Sequence, residues 1–133
     1  MEWKTQYVLG MEEMDRTHRV FVDFVSALAG VEDGEAAALL EKFVAHTEAH
    51  FAQENRWMAA SAFPPIACHV GEHQRVLEGL AQVLEAAKNG NPGLARVVAR
   101  EMETWFNQHS ATMDKALAWH MQQTGFDPIM QMR

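Results

Sequence analysis

Residues 66–87 read IACHVGEHQRVLEGLAQVLEAA, and their spacing decides the fold. Ile66, His69, His73, Val76, Leu80, Val83 and Ala87 recur at steps of three and four, which gathers them on one face of a helix. Val70, Leu77 and Leu84 widen that face. The seam is apolar except where two histidines, one turn apart, interrupt it.

The same step recurs on either side. Met11, Met14, His18, Phe21, Val25 and Leu28 form one stripe, and Leu40, Phe43, Thr47, His50, Glu54 and Trp57 a second. After the quoted stretch, Leu94, Val98, Met102, Trp105, His109 and Met113 keep the phase, which is then lost. Glycine and proline separate these segments at GVEDG (30–34), SAFPP (61–65) and NGNPG (89–93), because Gly permits positive φ and Pro cannot donate within a helix. No segment alternates with the two-residue period of a half-buried strand. The expected fold is therefore all-α. Four amphipathic helices, near 12–30, 34–60, 66–88 and 93–122, joined by short connections, make an antiparallel up-down-up-down four-helix bundle. Residues 1–133 form one domain in this reading, with an N-terminal arm at 1–10, the bundle at about 11–122 and a tail at 123–133.

A chain of 133 residues with 48% hydrophobic and 22% charged residues has the balance of an ordinary globular domain. No apolar run approaches the roughly 18 residues of a spanning helix, so no membrane insertion is expected. The opening MEWKTQYVLG lacks the basic start and apolar middle of a secretory signal, which makes the cytoplasm the expected location. Eleven basic against eighteen acidic residues leave a net charge of -7, which repels nucleic acid phosphates. The lone cysteine, Cys68, is expected to be a small buried apolar group. A monomer is the expected state, and the sequence names no protein recipient.

The seven histidines carry the functional information. A buried His or Glu costs several kcal/mol unless it is hydrogen-bonded or bound to a metal, so polar residues in apolar seams need partners. At 1.5 Å per residue, with the helix ends above, His18, His50, Glu54, His69, His73, His109 and Asp114 all fall roughly 5 to 20 Å from the same end of the bundle. Ligands of a shared centre must meet at one level, whereas unrelated core histidines need not. His50 with Glu54 and His69 with His73 are i,i+4 pairs, as helical metal ligands require. His109 and Asp114 are five apart and would diverge by roughly 140° on a regular helix. A π-bulge between them brings the pair together and accounts for the phase lost after Met113.

Five imidazoles and two carboxylates exceed the needs of one tetrahedral zinc, and a set without thiolate suits iron or manganese better than copper(I) or an iron–sulfur cluster. Two metals are implied. If both are six-coordinate, both carboxylates bridge and one oxo or hydroxo group bridges too, about eleven of twelve positions are filled. The single opening suits end-on binding of a small diatomic molecule and leaves little room for a second reactant.

Four stretches, WKTQYVLGMEEMDRTH (3–18), HTEAHFAQE (46–54), HVGEH (69–73) and WFNQHSATMD (105–114), together resemble the hemerythrins, and among them the single-domain bacteriohemerythrins. The resemblance covers all four helices. It implies two non-haem iron ions with an oxo/hydroxo bridge, one held by His69, His73 and His109 and the other by His18 and His50, with Glu54 and Asp114 bridging. It also implies reversible dioxygen binding on the His18/His50 side, for carriage, storage or supply, and no enzymatic turnover. There the ferrous pair lends two electrons and the bridge one proton, so little net charge is created in a medium of low dielectric. Phe21, Val22, Phe51, Trp105 and Met113 lie near the ligands by helical spacing and are expected to keep the dioxygen pocket dry.

His46, one turn before His50, is a candidate outer partner of the ligands, and His120 has no assigned role. The chain departs from the family pattern at Asn55, where an acidic residue commonly follows the bridging glutamate, and at Ser110, where a bulky aliphatic is common. The first alters an outer hydrogen bond, and the second is expected to admit water. Two other readings stand beside dioxygen binding. One is a sensing or handling module for dioxygen, nitric oxide or iron. The other is a diiron oxidase or peroxidase, against which the histidine-rich set argues, because ferritin-like enzymes use more carboxylates.

Overall fold

The computed structural model describes residues 1–131. The four expected rods are present and no strand occurs among the described residues. They are α1 (Glu12–Ala29), α2 (Asp33–Ala60), α3 (Ile66–Lys88) and a fourth in three consecutive parts. These parts are α4 (Leu94–His109), a π turn (Ser110–Asp114) and α5 (Lys115–Thr124). The backbone at Ser110 and Lys115 keeps helical angles, so the fourth rod runs through without a break. Connections at 30–32, 61–65 and 89–93 are too short for the next helix to do anything but run back along its predecessor. α1 packs on α2 and α4, and α3 packs on α2 and α4, which closes the antiparallel bundle.

The residues ahead of α1 are fastened to the bundle. A 3₁₀ turn (Thr5–Tyr7) buries Tyr7, whose hydroxyl donates to Asn107 Oδ1 at 2.6 Å and whose ring meets Phe106 edge-on at 5.1 Å. The turn packs against the π turn of the fourth rod. Gly10 links this segment to α1 with φ of +84°, a conformation that L side chains rarely adopt, so the link favours glycine. The Asp15 carboxylate accepts from the backbone N–H of Leu9 and Gly10 at 2.8 and 3.2 Å. At the other end, Gly125 stops α5 in the left-handed conformation, and α6 (Pro128–Gln131) turns back onto α2. Residues 132 and 133 of the expected tail lie outside the described residues.

Two apolar clusters fill the interior. The larger contains Phe21, Val25, Leu28, Leu40, Phe43, Phe51, Leu80, Val98 and Phe106. The smaller contains Met14, Trp57, Met58, Phe63, Leu117 and Met121. His18 sits between Met14 and Phe21 on α1, and Glu54 between Phe51 and Trp57 on α2, so a polar layer is enclosed between two apolar ones.

Two expectations are corrected. Cys68 is exposed, because His69 beside it points inward and adjacent residues on a helix are about 100° apart. On the fourth rod the buried face runs through Ala95, Val98, Ala99, Phe106 and His109, with Trp105 at its edge. Phe43 lies within 5.3 Å of the Phe21 ring and 6.0 Å of the Phe24 ring and has no exposed surface. Phe43→Ala is expected to lower unfolding stability by about 3–5 kcal/mol, measured by urea denaturation.

Candidate metal centre

All seven candidate ligands converge. α1 supplies His18, α2 His50 and Glu54, α3 His69 and His73, α4 His109 at its end, and the π turn Asp114. None is more than 5% exposed. The wider π turn removes the divergence that a regular helix would impose, so His109 Nε2 and Asp114 Oδ1 stand 3.1 Å apart.

The two carboxylates divide their oxygens between two sets of histidines. Glu54 Oε2 lies 3.0 Å from His18 Nε2 and 2.9 Å from His50 Nε2, while its Oε1 lies 3.2 Å from His73 Nε2 and 3.6 Å from His69 Nε2. Asp114 Oδ2 lies 3.3 Å from His18 Nε2, and its Oδ1 lies 3.1 Å from both His69 Nε2 and His109 Nε2. Two groups of donor atoms result, Glu54 with His69, His73, His109 and Asp114, and Glu54 with His18 and His50.

This donor set fits metal ions. Asn55 Oδ1 is 2.8 Å from His73 Nδ1 and can only accept there, so Nδ1 carries the proton and Nε2 is bare. Bare Nε2 faces the Glu54 carboxylate across 3.2 Å, and neither His73 Nε2 nor Glu54 Oε1 has a hydrogen-bond partner. Both Asp114 oxygens are likewise without one. Lone pairs facing each other in a dry interior need a cation between them. The spacing agrees, since two donors about 2.1 Å from one ion at a right angle lie about 3.0 Å apart.

The electrostatics of the metal-free cluster follow from the same contacts. Burial alone would lower the His69 pKa, but the close Asp114 and Glu54 carboxylates raise it to about 9. His18 is also raised against burial, by the Asp114 charge and the Glu54 contacts. Burial would raise Glu54, yet His50, His18 and His69 hold it well below the usual carboxylate range. Burial and the Glu54 charge oppose ionisation of Asp114, which His109 and His18 nonetheless favour. His73 is lowered, chiefly by burial.

The residues expected around the ligands are close but not all on one side. Phe21 approaches His50 at 6.0 Å between ring centroids, and Phe51 lies 5.2 Å from His50 and stacks on His73 at 4.0 Å. Trp105 stacks on His109 at 4.3 Å. Met113 is half-buried and, with Trp105 and His109, lines a surface cavity whose walls include neither His18 nor His50. Val22 is buried in the larger apolar cluster. Sequence reasoning missed Phe106, which meets His18 edge-on at 5.2 Å and stacks on Phe21 at 5.0 Å. A stripe phased through Ala95, Ala99 and Phe106 would have found it.

His46 is half-buried, with its ring centroid 5.4 Å from that of Phe24 and 5.9 Å from that of His50. Burial and the neighbouring His50 lower its pKa to about 4. His120 bonds to the Ser61 carbonyl at 2.8 Å, a structural role at the end of α2. Ser110 is buried within the π turn.

Fold and site together define a class, the antiparallel helical bundle enclosing a buried histidine–carboxylate cation site. Residues 9–118 match the family described as Hemerythrin HHE cation binding domain. The chain is also 36% identical over 127 residues to a bacteriohemerythrin of Ralstonia nicotianae (strain ATCC BAA-1114 / GMI1000), covering 96% of this chain and 93% of that protein. The chain belongs to the hemerythrin family.

A raised His pKa contributes stability below its unfolded value that is lost as pH climbs through the folded value. Without metal, the urea midpoint is therefore expected to fall as pH rises from 6.5 to about 9 through His69. Iron loading should abolish that fall, since bound imidazoles carry no proton at Nε2.

Proposed function

We propose that the chain binds dioxygen reversibly at a diiron centre. In this reading His69, His73 and His109 hold one iron, His18 and His50 the other, and Glu54 and Asp114 span both. The observation that carries it is the division of each carboxylate's oxygens between a three-histidine set and a two-histidine one. The poorer set, beside His18 and His50, is where an incoming molecule finds room. When bound, a ferrous pair supplies two electrons that dioxygen takes up on binding and returns on release.

The protein's own residues supply orientation and dryness. Asn55 holds the His73 ring in the tautomer that turns a bare nitrogen inward. Phe21, Phe51 and Phe106, each no more than 1% exposed, wall the His18/His50 side and keep water from it. Beyond the seven candidate ligands, the buried polar residues among those described are Thr47 and Ser110, and the Thr47 hydroxyl donates to the Phe43 carbonyl. That supports binding over turnover, which would need a group able to deliver protons to a substrate. No helix among the described residues is long and apolar enough to cross a membrane. A cytoplasmic monomer is part of this proposal.

An anaerobic titration of the diferrous protein with dioxygen, followed by visible absorption, tests this. The expected spectrum forms on addition and vanishes on deoxygenation. Irreversible change, or continued consumption of a reductant, would assign the centre to an oxidase or peroxidase instead. His50→Ala is expected to lose the iron of the two-histidine set, whereas His46→Ala should retain both, as measured by iron content per chain. Equal loss from both variants would overturn the ligand assignment.

A further inference from the structure

Trp105 stands between the centre and solvent. Its ring is half-buried, stacks on His109 with an interplanar angle of 17°, and lies 5.7 Å from the Phe51 centroid and 6.2 Å from that of Phe21. Phe51 and Phe21 are the rings that flank His50. A row of packed rings thus runs from Trp105 to the two-histidine side, a path along which a small apolar molecule would pass between ring faces. Outside, two surface cavities of about 250 and 290 Å³ both have Trp105 and Arg75 in their walls.

An indole between two cavities has space to swing, and side-chain rotation at a surface takes only nanoseconds. Besides the packing on His109, Phe51 and Phe21, one polar contact opposes it. The Trp105 Nε1–H donates to Glu72 Oε1 at 2.8 Å. The Glu72 carboxylate is itself gripped by Arg75, through Nη2 at 2.6 Å and Nε at 3.1 Å. Glu72 and Arg75 belong to α3 and Trp105 to α4, so the contact ties two helices together across the mouth of the path. None of the three side chains supplies a donor atom to the metal cluster.

We propose that Glu72, steadied by Arg75, is a positioning residue that latches Trp105 shut over the path to His50 and so sets how fast dioxygen enters and leaves. The proposal rests on the reading of the centre as a dioxygen site. A latch acts on the barrier between inside and outside and leaves the bound state unchanged. Its loss therefore raises the association and dissociation rates by one common factor, with the dissociation constant untouched.

The test uses the iron-loaded diferrous protein with dioxygen, a neutral probe that the altered charge does not steer, and stopped-flow rates. Glu72→Ala removes the acceptor and is expected to raise both rates roughly fivefold, the population change that follows loss of one hydrogen bond of ordinary strength. Glu72→Gln keeps a carbonyl acceptor without the charge and should stay within about twofold of the parent. Hydrogen exchange of the Trp105 indole N–H, followed by NMR in the same variants without iron, should quicken in Glu72→Ala and hold in Glu72→Gln. Unchanged rates in Glu72→Ala, a shift in affinity in place of paired rates, or a Gln variant that matches Ala would each overturn the latch. A protein that fails to bind dioxygen reversibly overturns the functional reading, and the indole exchange then decides the latch alone.

Discussion

His73 Nε2 and Glu54 Oε1 face each other across 3.2 Å with no proton between them, and the bundle leaves neither atom anywhere to turn. Asn55 fixes the His73 tautomer from behind, and Phe51 lies flat against the ring at 4.0 Å. Glu54 is anchored on the opposite oxygen by His18 and His50. Without metal the contact is offset only by the neighbouring His69 and His18, whose pKa values the carboxylates raise, and it becomes favourable once a cation occupies the space. The remaining architecture keeps it so. Four rods hold the donors, two apolar clusters close the layer from above and below, and aromatic faces seal its sides.

Much of this was legible from spacing alone. Seams of threes and fours interrupted by polar residues placed the histidines and Glu54 inward, because a helix has one periodicity and a dry layer tolerates few polar side chains. The five-residue gap between His109 and Asp114 revealed the π turn, since no regular helix could present both. Finer phase was harder to read. Trp105 and Phe106 are neighbouring aromatics, and periodicity cannot say which of them faces the centre when two of the five buried residues, Ala95 and Ala99, are too small to mark the phase. Cys68 was misplaced for a related reason, because a general tendency of thiols to be buried says less than the phase of the helix that carries the residue. The contact between Asn55 and His73 joins two helices across a gap of 18 positions, and no pattern within either helix encodes it.

The segment ahead of α1 shows how distant parts of the chain serve the same layer. Tyr7 packs on Phe106, which packs on His18, so a residue outside the four rods lies two ring contacts from the centre. Its hydroxyl is satisfied by Asn107, next to Phe106 on the fourth rod. This segment packs on the fourth rod at Phe106, Asn107 and the π turn, and so supports the ring system from outside the four rods.

The π turn acts as a gear as well as a ligand mount. Leu117 and Met121, which complete the smaller apolar cluster, share the inward face of the fourth rod with His109 only because the extra residue retards the helix by most of a residue's rotation. Straightened, the rod would swing Asp114 out of the metal layer and turn these two side chains from the core in the same motion. Cofactor chemistry and hydrophobic packing therefore share one irregularity. Any natural or engineered change that sheds it forfeits both together, which makes the turn the least negotiable five residues of the chain.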